Sequence, residues 1–162
     1  MKITTKTQLA LNHLRTGVIA HPTDTIYGLA CMANNPEAIK TLASLKHRDI
    51  KKGFILLASD INYLLPYIDP NLDIDLLTKL STPTEIATTY LVPKSKNTSR
   101  LITGEHEFLA VRITSNPLIS YFCENTGSAL ISTSANTQGG KVATSLIELK
   151  KYFGNELSYA LP

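Results

Sequence analysis

Short apolar runs that end abruptly in polar loops constrain the fold of this sequence more than any other feature. Ala129-Leu130-Ile131 is such a run, and Ser132-Thr133-Ser134-Ala135-Asn136 follows it directly. The run predicts a buried strand, and in an open α/β sheet ligands bind beyond the carboxyl ends of strands. Hydroxyls, an amide and freed backbone N–H groups suit phosphate or carboxylate oxygens, and Gly139-Gly140 lets the backbone pass close to a ligand. A Ser/Thr-rich turn that only satisfies its own backbone is the alternative.

Two further segments repeat this pattern. Val18-Ile19-Ala20 predicts a buried strand that runs into the polar stretch from His21 to Leu29. The basic loop from Lys46 to Gly53 precedes an apolar strand from Phe54 to Ala58. Taken alone, a basic loop ahead of a strand is usually a solvated surface. Three such loops in one small chain are better explained by a shared anion site, because a small-molecule site needs convergent polar groups.

The remaining pattern predicts alternating helices and strands. Apolar spacing and capping residues predict helices near residues 6–15, 36–45, 60–65, 72–80, 117–125 and 146–153. Further strands are predicted at residues 88–92, 109–114 and 157–161, with only a loop between the first two. We therefore expect an α/β fold: a single domain over residues 1–162 with a twisted, open, mixed sheet and flanking helices.

Composition excludes several classes of protein. The chain has 162 residues and a formal net charge of +3, which is compatible with anionic ligands or RNA without identifying either. Cys31 and Cys123 are far apart and the histidines are scattered, so we expect reduced, buried cysteines and no zinc site. The N-terminus has no apolar region, and the longest apolar run is Phe54 to Ala58. We expect a cytoplasmic protein without membrane contact.

Four motifs together resemble the YrdC-like family of threonylcarbamoyl-AMP synthases, in its bacterial short form. The motifs are Pro22 to Leu29, Leu45 to Arg48 with Lys51 to Gly53, Leu109 to Thr114 with Asn116 to Leu118, and Ser132 to Asn136. Their order and approximate spacing match the family from about Gly17 to Gly140. The resemblance implies a twisted open sheet with a large, concave, basic face that holds the ligands.

The resemblance also implies a reaction and a set of site residues. The enzyme would form threonylcarbamoyl-adenylate and pyrophosphate from L-threonine, bicarbonate or CO2, and ATP. Lys46 and Arg48 are implied as catalytic contacts to the triphosphate, and the other implied ATP-binding residues are Lys52, Ser132, Ser134 and Asn136. The implied threonine-binding residues are Thr23, Thr25 and Arg112, whose planar guanidinium suits a carboxylate.

Further ligands and partners follow from the same resemblance. Mg2+ would arrive with ATP, whose phosphates and waters supply most of its ligands, so we expect no metal ion held by the protein itself. The product would serve N6-threonylcarbamoylation of tRNA, through a downstream threonylcarbamoyl-transferase complex. Direct binding of tRNA or double-stranded RNA is also compatible with the basic loops.

Three departures from the family keep alternatives open. Ser81-Thr82-Pro83-Thr84-Glu85 replaces a common Trp-Pro-Gly-Pro turn, His21 replaces another aromatic residue, and the chain stops at Pro162, before a segment that helps to enclose the nucleotide. One alternative is a non-catalytic module that binds double-stranded RNA or tRNA. Its basic clusters, Lys46 to Lys52 and Lys94 to Arg100, would share one face and bind RNA with strong salt dependence. A carbamoyl-transfer module like that of hydrogenase maturation proteins fits less well, because those modules lie within much longer chains.

Overall fold

This computed structural model describes residues 1–23, 26–82, 84, 86–154 and 156–162. Within these residues, eight strands form one sheet. They are β1 (Lys2–Ile3), β2 (Ile19–Pro22), β3 (Tyr27–Met32), β4 (Ile55–Ala58), β5 (Tyr90–Pro93), β6 (Phe108–Ile113), β7 (Leu130–Ser134) and β8 (Tyr159–Ala160). Their hydrogen-bonded order is β1-β8-β2-β3-β7-β4-β6-β5. β2 pairs antiparallel with β3, and β5 with β6, whereas β4 and β6 are parallel. The predicted mixed α/β sheet is therefore confirmed.

Six α-helices accompany the strands within the described residues. They are α1 (Thr7–Leu14), α2 (Pro36–Leu45), α3 (Ile74–Ser81), α4 (Arg100–Thr103), α5 (Pro117–Thr126) and α6 (Leu146–Phe153). The predicted N-caps are confirmed: Asn35 accepts from the Ala38 amide, Asn116 from the Leu118 and Ile119 amides, and Ser145 from the Glu148 amide. Each cap satisfies backbone donors that a helix start leaves without partners.

Several predicted elements need correction. Residues 60–65 form no α-helix but 3₁₀ turns at Ile61–Tyr63 and Leu65–Tyr67, because Pro66 lacks the amide proton that a continuing helix would use. The short helix α4 lies between β5 and β6, where only a loop was expected. β1 and β3 were not predicted, and the strands expected from residues 88 and 157 begin at Tyr90 and Tyr159.

The chain divides into two compact units, each with a buried apolar core. The first unit consists of Met1–Ile50 and Ser132–Pro162, and its fully buried side chains include Leu14, Leu42 and Phe153. The second unit is Lys51–Ile131, with Leu56 and Phe122 fully buried. Whether residues 1–162 act as one domain stays a prediction.

Both cysteines are buried and free, as predicted; Cys31 belongs to the first unit and Cys123 to the second. None of the helices in the described residues has the length and apolar character needed to cross a bilayer.

Two glycines fix the segment before β4 against the end of α4 in the second unit. Phe54 N donates to Ile102 O at 2.7 Å, and Glu105 N donates to Lys51 O at 3.0 Å. Gly104 has φ of 62°, and a Cβ atom there would overlap the Lys51 carbonyl group. A Cβ at Gly53, with φ of 59°, would lie 2.8 Å from Thr103 O. The close backbone contact, and with it the position of Lys52, therefore requires glycine.

His21 is a buried polar residue whose ring is incompletely hydrogen-bonded. It lies on β2 opposite Gly28 of β3 and is 2% exposed. Its Nδ1 lies 3.0 Å from Pro22 O, and because a carbonyl oxygen only accepts, Nδ1 carries the proton. Nε2 has no partner within the described chain, and a Cβ on Gly28 would approach it to 2.9 Å. Burial lowers the pKa of His21, and the bond to Pro22 opposes this shift only partly.

We predict that Gly104→Ala costs about 3 kcal/mol or more of unfolding free energy, because it combines a backbone clash with a disfavoured φ. Gly127→Ala is the matched control in the same unit, since Gly127 has φ of 64° but open space around its Cα. That variant should cost only about 1–2 kcal/mol. Urea denaturation of both variants measures the difference, and equal losses would contradict the role assigned to Gly104.

We predict that stability falls as the pH drops below about 6.5, where histidine in the unfolded chain takes up a proton that buried His21 resists. A lowered folded pKa means that the stabilisation is complete above that pH and is lost below it. His21→Phe should flatten the dependence, whereas His106→Gln, at an exposed position, should leave it unchanged. Thermal melts between pH 5 and 8 test this, and an unaltered slope in His21→Phe would refute it.

Candidate active site

Lys46 follows the C-terminus of α2 and connects it to the loop after β7. Its Nζ donates to Ser134 O at 2.5 Å, to Asn136 O at 2.8 Å and to Asn136 Oδ1 at 3.0 Å. The Lys46 carbonyl oxygen accepts from the Gln138 amide at 2.8 Å. Lys46 is only 3% exposed. We call residues 134–140 the 134–140 loop; Lys46 contacts it through both its side chain and its backbone.

The Lys46 ammonium is buried yet charged at neutral pH. Burial, and secondly repulsion from Arg48, lowers the pKa of Lys46 to about 8. The surrounding oxygens all accept hydrogen bonds and so favour the protonated form. At pH 7 the group is mostly a cation, and it loses its charge as the pH rises through about 8.

The polar side chains at the end of β7 are linked to one another. Ser134 Oγ donates to Asn136 Oδ1 at 2.7 Å, and Asn136 Nδ2 donates to Gly140 O at 3.0 Å. Ser134 therefore presents lone pairs, while Asn136 retains one amide proton. The Ser132 hydroxyl, on β7 itself, has no hydrogen bond within the part of the chain that the structure describes. The structure thus brings three predicted ATP-binding residues, Lys46, Ser134 and Asn136, into direct contact.

Thr23 closes the turn between β2 and β3. Its backbone N and its Oγ1 donate to Ile26 O at 2.9 Å and 2.7 Å. Tyr27, the next residue, accepts at its carbonyl from the Ala135 amide at 2.8 Å, which ties the start of β3 to the 134–140 loop. Thr25, the other residue predicted to bind threonine at this turn, lies outside the described residues.

Arg48 lies two residues beyond Lys46 and is half-buried. His47 between them adopts the left-handed conformation with φ of 47°, which ends α2, and the Arg48 amide donates to Ala43 O at 2.9 Å. Arg48 lines an open depression of about 530 Å³ together with Lys40, Ser44, His47 and Asp49, among others. Arg48 and Lys40 bring positive charge to this depression, although Lys40 pairs with Glu37 at 2.8 Å and Asp49 brings negative charge.

Lys52 belongs to the second unit and ends the 3₁₀ turn Ile50–Lys52. Its side chain is exposed and has no ion pair within the described residues, whereas neighbouring Lys51 pairs with Glu105 at 3.0 Å. Lys52 can therefore meet an anionic ligand without breaking a contact.

Arg112 lies on β6 of the second unit and is oriented by Thr89. Its Nε and Nη2 donate to Thr89 Oγ1 at 3.0 Å and 2.7 Å, which leaves further N–H donors on the guanidinium. Arg112 has no carboxylate partner among the described residues. Because β-strand side chains alternate, Phe108 and Arg112 share one face of β6, and Phe108 is 52% exposed there. Sequence reasoning missed the role of Thr89, since the antiparallel β5–β6 register decides which hydroxyl meets Arg112.

A resident metal ion finds no obvious ligands in the described chain, where no group of three His, Cys, Asp or Glu side chains lies close enough to hold one. Pro83 and Glu85, in the segment that departs from the family, lie outside the described residues. That the two basic clusters share one face stays a prediction.

The sequence matches one protein family and is similar to bacterial members of it. The family model for Sua5, YciO and YrdC proteins, described as "Telomere recombination", matches residues 13–162. Threonylcarbamoyl-AMP synthase of Pseudoalteromonas atlantica is 40% identical over 153 residues, which covers 91% of this chain and 79% of that protein. The protein of the same name from Haemophilus ducreyi is 42% identical over 139 residues, which covers 85% of this chain and 76% of that protein.

Solved structures of two related proteins have the same fold. Sua5 of P. abyssi, complexed with L-threonine, matches 96% of this chain with a TM-score of 0.81 and 24% identity. This chain spans 46% of that protein, so about half of its length. YciO of E. coli matches 96% of this chain with a TM-score of 0.75 and 24% identity. Because the family model matches nearly the whole chain and the synthases are this similar over most of it, the chain belongs to the Sua5/YciO/YrdC family.

Proposed function

We propose that this protein is a threonylcarbamoyl-AMP synthase, which forms threonylcarbamoyl-adenylate and pyrophosphate from L-threonine, bicarbonate or CO2, and ATP. One observation carries the proposal: proteins of that name are 35% to 42% identical to the chain over most of its length. The ligand in the P. abyssi Sua5 structure, L-threonine, supports the same substrate.

The reaction asks the protein mainly to position and neutralise its substrates. The threonine amine attacks the carbon of CO2: a C–N bond forms, one C=O π bond opens, and the amine loses a proton to the solvent to give a carbamate. A carbamate oxygen then attacks the α-phosphorus of ATP, and the bond from that phosphorus to the bridging oxygen breaks. Pyrophosphate leaves with the electron pair. Such a transfer depends on in-line geometry and on stabilisation of the oxygen charges.

The nucleotide side of the site is assigned to the end of β7 and to three cations, Lys46, Arg48 and Lys52. Ser132 offers a free hydroxyl and Asn136 one free amide proton for nucleotide or carbamate oxygens. Arg48, beside an open depression, and exposed Lys52 would contact phosphate oxygens and stabilise the leaving pyrophosphate. Ser134 would accept a hydrogen bond, because its own proton goes to Asn136. Lys46 contributes a positive charge within the 134–140 loop.

The threonine side of the site is assigned to Arg112, with Thr23 and Thr25. Thr89 holds the guanidinium by one edge, and the remaining N–H donors can bind a carboxylate in a bidentate manner. An arginine without a carboxylate partner among the described residues suits the carboxylate of an amino acid.

The chemistry of the product indicates which enzyme would use it next. A carbamoyl–phosphate anhydride hydrolyses readily, so a downstream threonylcarbamoyl-transferase complex would consume it to modify adenosine in tRNA. Mg2+ would enter with ATP and offset phosphate charge. We place the protein in the cytoplasm, where these substrates and tRNA are found.

Threonine-dependent pyrophosphate release tests the proposed function. We expect purified protein with Mg-ATP, bicarbonate and threonine to release pyrophosphate, and the reaction without threonine to serve as the control. The adenylate should appear in equal amount by mass spectrometry. ATP binding without turnover would refute the synthase, and salt-sensitive tRNA binding in that case would favour the RNA-binding module.

We predict that Arg112→Lys raises the KM for threonine about tenfold or more, because a point charge cannot replace a bidentate guanidinium. The KM for ATP should change much less. Arg15→Lys, a matched change at an exposed position in the first unit, should leave both values unaltered. A normal threonine KM in Arg112→Lys would exclude the assigned contact.

A further inference from the structure

We infer that Lys46 is a positioning residue rather than a phosphate ligand: it holds the 134–140 loop, and the loop residues contact the nucleotide. The inference rests on the proposed function and changes the role expected for Lys46 from the sequence, where it was a contact to the triphosphate.

The number of hydrogen-bond donors carries the argument. A lysine ammonium has three N–H donors, and three oxygens lie within 3.0 Å of Lys46 Nζ. All three belong to Ser134 and Asn136, and Lys46 is only 3% exposed. A phosphate oxygen could therefore bind Nζ only by displacing a hydrogen bond within the protein. Arg48 lies on an open depression, where a phosphate can reach it.

The loop depends on the cation because its acceptors converge. Two carbonyl oxygens and Asn136 Oδ1 point at one place, and without a donor there they would repel one another. Ser134 O and Asn136 Oδ1 would keep only their bonds from the Asn136 amide and the Ser134 hydroxyl. Asn136 Oδ1 also accepts from Ser134 Oγ, so Lys46 fixes the side chain that orients the Ser134 hydroxyl. Through its carbonyl, Lys46 also receives the Gln138 amide.

Because the charge of Lys46 depends on pH, its hydrogen bonds to the 134–140 loop depend on pH as well. A neutral amine keeps two donors and turns a lone pair toward an oxygen, so one of the three contacts is lost. This change centres on the pKa of about 8. Arg48 is the charged group that acts on Lys46, while the 134–140 loop faces it with uncharged oxygens. Arginine at this position would stay charged across the whole range.

Amide hydrogen exchange on the ATP-free protein tests the first half of the inference. In Lys46→Met we expect the amides of Ala135, Gln138 and Gly140, all hydrogen-bonded in the intact loop, to exchange about tenfold faster or more, since local opening becomes easier. Lys150→Met, an exposed lysine in the same unit, and Arg48→Ala should leave these amides protected. Protection in Lys46→Met equal to that of the intact protein would overturn the inference.

A double-mutant cycle tests the second half. If Lys46 acts through Asn136, the kcat/KM for ATP in Lys46→Met with Asn136→Ala should fall no more than about threefold below the worse single variant. The losses in kcat/KM caused by Lys46→Met and by Arg48→Ala should instead multiply in the double variant. Arg48→Ala by itself should act mainly on the KM for ATP. Multiplying effects of Lys46 and Asn136 would assign Lys46 an independent contact to the phosphates.

The pH dependence of kcat/KM tests the role of Lys46 with a conservative substitution. The kcat/KM of the intact protein should decline through pH about 8, and Lys46→Arg should shift that decline upward while retaining activity. An unshifted decline in an active Lys46→Arg variant would count against the inference. If the intact protein releases no pyrophosphate, the proposed function fails, but the exchange experiment still decides whether Lys46 holds the loop.

Discussion

The contact between the Lys46 ammonium and three oxygens of the 134–140 loop organises the first unit of this protein. Two carbonyl groups and an amide oxygen converge there on a buried positive charge, which offsets their mutual repulsion. Lys46 is also the C-cap residue of α2, and its carbonyl oxygen accepts from the Gln138 amide, so the end of this helix is hydrogen-bonded to the 134–140 loop. Ser134 and Asn136 take their orientation from that arrangement, and the nucleotide assignment depends on it.

In the second unit, backbone geometry rather than a buried charge positions the polar side chains of Lys52 and Arg112. Gly53 and Gly104 allow the segment before β4 to contact the end of α4, which places Lys52. The antiparallel register of β5 and β6 brings Thr89 to Arg112, and one hydroxyl then holds the guanidinium by two N–H groups. In both units a side chain that we propose to bind a ligand is oriented by a second residue, and such preorganisation reduces the entropy lost on binding.

Family membership and local geometry contribute different parts of the proposed function. The similarity to named synthases supports the reaction and the substrates. The geometry separates two cations of one motif: Arg48 lines an open depression, whereas all three donors of the Lys46 ammonium are used within the protein. On the proposed assignment, a motif that suggests two equivalent cations contains one that binds the nucleotide and one that positions the loop.

The sequence by itself determined the α/β class, the N-caps at Asn35, Asn116 and Ser145, and the polar strand end at Ser132 to Asn136, because these depend on residues close together in the chain. It also determined the family, through several motifs in order. Only the tertiary structure decided that Lys46 turns its protons to Ser134 and Asn136, that Thr89 meets Arg112, and that the His21 ring lies against Gly28. These contacts join distant parts of the chain, and their geometry depends on strand register and burial, which no local pattern encodes.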